Sequence, residues 1–248
     1  STVFESFFMK DSLPVHIHTL ASGHAYNTIR EMIAAGSKKG LALVGIADHA
    51  PAMPGSTHRF YFENLRIFDH KVYGDEAGVE LLMGVELNIL NTTGKVDLEE
   101  KGLRSVDYAI ASLHDPCINP GTALDNTTAI MSAMWIPQVK IIGHPDNPVF
   151  PVDFDQIAKA AAERHVLLEC NNSSYRPGGS RTGSRDLAKK MLQACKKYGT
   201  HVIMGSDAHI DLDVGNHALS EEVIREADFP EELVINSSPE KFKEWIRA

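Results

Sequence analysis

The feature that most constrains this chain is a series of short apolar runs, most of which end in a histidine, aspartate or glutamate. Seven runs read as strands: Val15–His18, Leu41–Ala47, Leu81–Ile89, Tyr108–Leu113, Lys140–Gly143, Val166–Cys170 and Val202–Gly205. Most are continuously apolar, as expected of parallel strands covered on both faces. The segments between them read mainly as helices. In Asp153–Arg164, Phe154, Ile157, Ala158 and Ala161 share one helical face, and Asp153 with Gln156 resembles a capping box. Ser184–Tyr198 carries a stripe of Leu187, Met191, Cys195 and Tyr198, with Gly199 as its stop. Ser238-Pro239 opens a last helix ending near Arg247. Regular strand–helix alternation implies a parallel sheet. Seven units in 248 residues favour an α/β barrel over an open doubly wound sheet. No GxGxxG follows the first run, which argues against a dinucleotide site.

In such a barrel the active site lies at the C-terminal ends of the strands. Six of the seven ends carry metal-type ligands: His16 and His18, His49, Glu86, His114, His144, and Asp207 with His209. His24 follows the first run closely. Residues two apart on a strand share a face, so His16 and His18 can reach one ion or two adjacent ions. An ion takes about four ligands. Nine candidates are too many for one ion and suit two or three, with Glu86 placed to bridge. The remaining five histidines read differently. His58 sits in a loop that can line the pocket, whereas His70, His165, His201 and His217 read as surface or packing residues.

Composition narrows the function. Lys+Arg number 24 against 33 Asp+Glu, a formal charge of −9, which argues against a partner of long nucleic acid. The longest apolar run, Leu41–Ala47, is far short of the ~20 residues of a membrane span. Three cysteines without a CxxC pair, and no secretory pattern at the start, point to a reducing, cytoplasmic setting. The chain reads as one domain, 1–248, with 1–12 as a peripheral extension.

These residues resemble the PHP (polymerase and histidinol phosphatase) family, most closely its YcdX-type bacterial phosphatases. The resemblance rests on His16-Ile17-His18-Thr19, Ser22-Gly23-His24-Ala25-Tyr26, Ala47-Asp48-His49, Gly84-Val85-Glu86, His114-Asp115-Pro116, Gly143-His144-Pro145-Asp146-Asn147-Pro148, Asn171-Asn172-Ser173-Ser174 and Gly205-Ser206-Asp207-Ala208-His209. It implies a distorted (β/α)7 TIM-like barrel with three divalent ions, Zn²⁺ first and Mn²⁺ or Fe²⁺ as alternatives. By resemblance, one ion falls to His16, His18, Glu86 and Asp207, a second to Glu86, His114 and His144, and a third to His24, His49 and His209. One departure is Pro14, where the family usually has Asp; its loss removes a group that would steady His16 or His18.

The expected activity is hydrolysis of a small phosphomonoester by a metal-bridging water or hydroxide, with Glu86, Asp207 and His209 as catalytic residues. Asp48 or Asp115 would orient a ligand histidine, or else cap a loop. Arg66, Arg176 and His58 are the candidates for holding substrate phosphate. Arg176 and Arg181 flank Pro177-Gly178-Gly179, read as a flexible loop more than as a gate. Asn171–Ser174 read as hydrogen-bonding or structural. The alternatives are a phosphodiesterase or short-oligonucleotide hydrolase, a histidinol-phosphatase-like activity, and a non-catalytic metal-binding protein. An amidohydrolase is disfavoured because the fourth strand end offers His114 where a bridging Lys would be needed. Substrate identity and oligomeric state are not legible.

Overall fold

The computed structural model describes residues 13–248; the expected N-terminal extension, 1–12, lies outside the described residues. The strands are β1 (Leu43–Ile46), β2 (Glu80–Met83), β3 (Val85–Asn88), β4 (Ala109–Ser112), β5 (Val139–Ile142), β6 (Leu167–Asn171) and β7 (Val202–Gly205). All pair in parallel: β1 with β2, and β3 through β7 in sequential order. The helices are α1 (Ile29–Lys38) ahead of β1; α2 (Arg59–Glu63), α3 (His70–Ala77), α4 (Glu100–Leu103), α5 (Ala123–Ala133), α6 (Phe154–Arg164) and α7 (Ser184–Tyr198) between strands; and α8 (Ala218–Glu226) and α9 (Pro239–Arg247) after β7. Among the described residues, no helix is long and apolar enough to cross a membrane.

The two sheets are joined through two seams. The run Leu81–Ile89, expected as one strand, breaks at Gly84: β2 pairs back to β1 and β3 pairs on to β4. The Gly84 N–H still reaches Ile46 O (2.7 Å) and Glu86 N–H reaches Asp48 O (2.9 Å), so the two halves stay one wall. A Cβ at Gly84 would stand 2.7 Å from the Tyr108 ring, which explains the glycine. The run Val15–His18 closes the other side with a single bridge, Ile17 to Ala208, rather than a full ladder. Its backbone bonds both neighbours: His18 N–H to Ala208 O (2.8 Å), and Ala47 N–H to Ile17 O (2.8 Å). Pro14 can only accept, here from Gly45 N–H (2.8 Å), which shortens the pairing at that end.

Alternation along the strands divides the interior. Ile142, Leu168, Val202 and Met204 face outward into the large core beneath the helices. Ile141, Leu167 and Ile203 join Val15, Leu43, Tyr108 and Ile110 in an inner cluster, plugged by Phe242 of α9. Period-two continuation from those inner positions reaches Gly143, Glu169 and Gly205, then Asn171 and Asp207. The barrel interior is therefore apolar at the N-terminal half and polar at the C-terminal half.

Local signals account for the helix ends. Ser238 accepts from Lys241 N–H ahead of Pro239 at the first turn of α9. Asp153 caps α6 by accepting from Gln156 N–H, while the Gln156 amide returns to the Asp153 carboxylate (2.8 Å) rather than to its backbone. In α7 the buried line is Ser184, Ala188, Met191, Leu192 and Cys195, rotated slightly from the stripe through Leu187 and Tyr198.

The Tyr108 hydroxyl donates to Val15 O (2.6 Å) inside the inner cluster, tying the first run to the far wall. Tyr108→Phe leaves a buried carbonyl unpaired and is expected to cost about 1–3 kcal/mol in urea unfolding. An unchanged unfolding midpoint would show that this tie is dispensable.

Candidate metal centre

Glu86 on β3 stands at the centre of the polar half and is fully buried. Its Oε2 lies 3.2 Å from His16 Nε2, 3.2 Å from His18 Nε2 and 3.2 Å from His49 Nδ1. Its Oε1 lies 3.3 Å from His114 Nε2 and 3.3 Å from His144 Nε2, and accepts from Ser112 Oγ (2.8 Å). Five imidazole nitrogens from four different strand ends thus converge on one carboxylate. Asp207 adds a second carboxylate, with Oδ1 3.1 Å from His18 Nε2 and 3.5 Å from His16 Nε2. The His24 ring lies 5.0 Å from the His49 ring and 5.0 Å from the His209 ring, at the outer side of the group. All nine candidate ligands therefore gather in one place.

Within that assembly, three subsets bring their ligand atoms within 4.8 Å of one another: His16, His18, Glu86 and Asp207; His49, Glu86 and His114; and His18, His49 and His209. The first matches the set expected for one ion. In the other two, His49 and His18 stand where His144 and His24 were expected.

Whether this cluster suits metal can be judged from its own atoms. His16 Nε2, His18 Nε2, His49 Nδ1, His144 Nε2 and Glu86 Oε2 are buried without a hydrogen-bond partner. Such groups carry a desolvation cost of about 1–3 kcal/mol each unless something occupies their lone pairs. Imidazole and carboxylate are the donors that zinc and similar divalent ions take. The residues fit the group.

The opposite edges of the rings are fixed. His16 Nδ1 makes a short bond to Glu169 of β6. His18 Nδ1 bonds Ser22 Oγ (3.0 Å), whose own proton goes to Asp48 Oδ1 (2.8 Å). His114 Nδ1 bonds Asn88 Oδ1 (2.6 Å), and His209 Nδ1 bonds the Asp207 carbonyl (2.8 Å). Each partner accepts, so each of these rings carries its proton on Nδ1 and offers Nε2 inward. Two ligand positions also hold unusual backbone: φ is +30° at His144 and +53° at Asp207. Non-glycine residues there cost of order 1–3 kcal/mol, and such strain clusters at functional sites.

Charge within the cluster is strongly coupled. Burial lowers the His16 pKa, but Glu169, Glu86 and Asp207 together outweigh it and raise it well above the ordinary value. For His18 burial is likewise overcome, by Asp207 and Glu86, and the value rises to about 9. Burial raises Glu86, yet the surrounding histidines pull it well below the usual carboxylate range. Asp207 behaves the same way. His144 is lowered to about 4 by burial and by the Arg181 charge, and His209 to about 4 by burial and by His18.

Other candidates fall outside this group. Arg176 pairs with Asp213 (2.9 Å). His58 caps α2, its Nδ1 accepting from Phe60 N–H (3.1 Å). Arg66 is exposed on a surface groove with Glu100, Lys101 and Arg104. Asp48 is buried and braced by Thr19 N–H (2.6 Å) and Thr19 Oγ1 (2.8 Å), while Asp115 is exposed. The arginine that does reach the cluster is Arg181, whose guanidinium bonds Ser174 Oγ (3.0 Å) and Asp207 Oδ2 (3.3 Å).

Glu169 was missed from sequence, although a carboxylate inside the apolar run Val166–Cys170 is a signal. It supplies His16 with the carboxylate that Pro14 cannot. A Cβ at Gly205 would stand 2.0 Å from Glu169 Oε1, so that glycine leaves the room Glu169 fills.

A proton on His18 stabilises the metal-free fold below about pH 6.5, and that contribution is lost as pH rises through about 9. Ligation needs the neutral ring, so zinc binding must displace this proton. The rise in Tm on adding Zn²⁺ should therefore grow from about pH 6 to about pH 8. A shift that shrinks over that range would contradict ligation through these histidines.

A model of the PHP domain matches residues 14–173. A probable phosphatase of Clostridium acetobutylicum is 43% identical over 240 residues, covering 97% of this chain and 96% of that protein. A probable phosphatase of Caldicellulosiruptor saccharolyticus is 44% identical over 232 residues, covering 94% of each. Among solved structures, the histidinol phosphate phosphatase of Lactococcus lactis, complexed with zinc, L-histidinol and phosphate, aligns with a TM-score of 0.61 at 17% identity. That alignment covers 89% of this chain and 95% of the other. At that identity the likeness is one of fold.

Proposed function

Because this chain belongs to the PHP-domain family, we propose that it is a metal-dependent phosphatase acting on a small phosphomonoester at the cluster around Glu86. The observation that carries this reading is the Glu86 carboxylate, with three imidazole nitrogens on one oxygen and two on the other. The relatives named as probable phosphatases support the reaction class, and the phosphate in the Lactococcus lactis structure supports a phosphorylated ligand. We assign three ions, Zn²⁺ first, to His16, His18, Glu86 and Asp207; to Glu86, His114 and His144; and to His24, His49 and His209. We also read the chain as one domain, since the first run and the ends of β1, β3, β4, β5 and β7 all contribute to one site.

When bound, divalent metal supplies Lewis acidity to the phosphoryl oxygens and brings the pKa of an attacking water towards about 7. The protein's own groups do the positioning. Glu169, Ser22, Asn88 and the Asp207 carbonyl keep the proton on Nδ1 of His16, His18, His114 and His209. Arg181 brings a partly exposed guanidinium to the edge of the cluster, where its fork suits two phosphate oxygens. Its hold on Asp207 keeps it there before substrate arrives. Glu86, Asp207 and His209 are the residues we assign as catalytic.

Turnover of p-nitrophenyl phosphate should be lost with chelator and restored by Zn²⁺ or Mn²⁺; histidinol phosphate and a bis-p-nitrophenyl diester are the comparison substrates. No turnover of any monoester by the fully metallated protein, with diester cleavage present, would overturn the reading. Glu86→Ala should abolish activity and remove more than one equivalent of metal, and unchanged metal content would sink the bridging role. Arg181→Ala should lower kcat/KM about 10–100-fold, as charged hydrogen bonds worth about 1.5–3 kcal/mol are lost. No change would place phosphate elsewhere.

A further inference from the structure

We propose that Asp97, in the segment between β3 and α4 and with no contact to the cluster, is a positioning residue that dictates which nitrogen His114 offers to metal, acting through the amide of Asn88. This rests on the metal-dependent reading above.

The Asp97 carboxylate receives three N–H donors. Oδ1 accepts from Asn88 N–H (2.9 Å), and Oδ2 accepts from Asn88 Nδ2 (2.6 Å) and from Ala52 N–H (2.8 Å). The Asn88 amide nitrogen also donates to Ala50 O (3.3 Å). A carboxylate and a carbonyl can only accept, so both hydrogens of the Asn88 amide are claimed on one side. The amide oxygen is left to face His114 Nδ1 at 2.6 Å. An oxygen there requires Nδ1 to carry the hydrogen. His114 Nε2 is then a bare lone pair, directed at Glu86 Oε1 from 3.3 Å. Donation runs one way, from His114 through Asn88 to Asp97, whose carboxylate has no hydrogen to return.

Asp97 lies just beyond the antiparallel bridge of Ile89 with Val96, which folds the segment back against the end of β3. The same carboxylate holds Ala52, at the start of the loop after His49. One group thus fastens the backbone following one ligand and the ring of another.

The isosteric change Asp97→Asn tests the direction of the chain while preserving its shape. Wherever the new amide NH₂ points, it meets a donor. The relaxation that removes the conflict with Asn88 is a flip of its amide, which turns Nδ2 towards His114. His114 must then accept at Nδ1 and carry its hydrogen on Nε2, where it cannot ligate. We expect long-range ¹H–¹⁵N spectra of the zinc-loaded protein to show His114 as the Nδ1–H form in the wild type and the Nε2–H form in Asp97→Asn. Zinc affinity measured by chelator competition should fall about 10–100-fold. The double variant Asp97→Asn/Asn88→Asp places an obligate acceptor beside His114 again and should restore the Nδ1–H form. It also decides the matter if the single variant fails to fold. An Nδ1–H signal and full zinc affinity in Asp97→Asn, or an Nε2–H signal in the double variant, would overturn the proposal. None of these readouts uses a substrate. An inactive wild type with the expected tautomers would count against the phosphatase reading and leave this assignment standing.

Discussion

The structure depends on one buried carboxylate and the five imidazole nitrogens that face it. Glu86 is withdrawn from water at the centre of the strand ends, where an uncompensated charge would cost several kcal/mol. Its two oxygens are shared among histidines from separate strands, so no single βα unit can satisfy it. The cluster exists only once the ring of strands has closed. In the metal-free protein the same demand is met by protons, which is why His16 and His18 are raised and Glu86 and Asp207 lowered. A divalent cation answers the same demand with greater charge density.

Around that centre, a second layer decides how the ligands present themselves. Glu169, Ser22 with Asp48, Asn88, and the Asp207 carbonyl each take the far ring nitrogen of one histidine. These partners come from β6, the turn after the first run, β3 and the end of β7. The orientation of one strand's ligand is thus often set by another strand. The backbone contributes as well, since His144 and Asp207 both sit at positive φ within the cluster.

The lower half of the barrel makes this upper half affordable. Val15, Tyr108, Ile110, Ile141, Leu167 and Ile203 fill the interior beneath the cluster, and α9 seals the end with Phe242. Burial of that apolar surface offsets the desolvation and strain gathered above it.

Much of this was legible in the chain itself. The apolar runs, their parallel character and the nine candidate ligands at or near the strand ends follow from local spacing, because period-two alternation and the polarity of a βα unit are set by neighbours in sequence. The caps of α6 and α9 and the stop of α7 were legible for the same reason. Other features were decided only by tertiary structure. Leu81–Ile89 breaks at Gly84, a position where the Tyr108 ring, remote in sequence, leaves no room for a Cβ. Pro14 signalled a lost partner for His16 or His18, whereas the carboxylate that holds His16 comes from Glu169, on β6 across the barrel. Sequence alone points to Arg66, Arg176 and His58 for phosphate and passes over Arg181, since a long side chain's direction is set by whatever charge lies within reach. Asp213 takes Arg176, whereas Asp207 takes Arg181. Sequence determined which groups arrive at the rim, because alternation is local; the pairing among them is long-range, and only the closed barrel decided it.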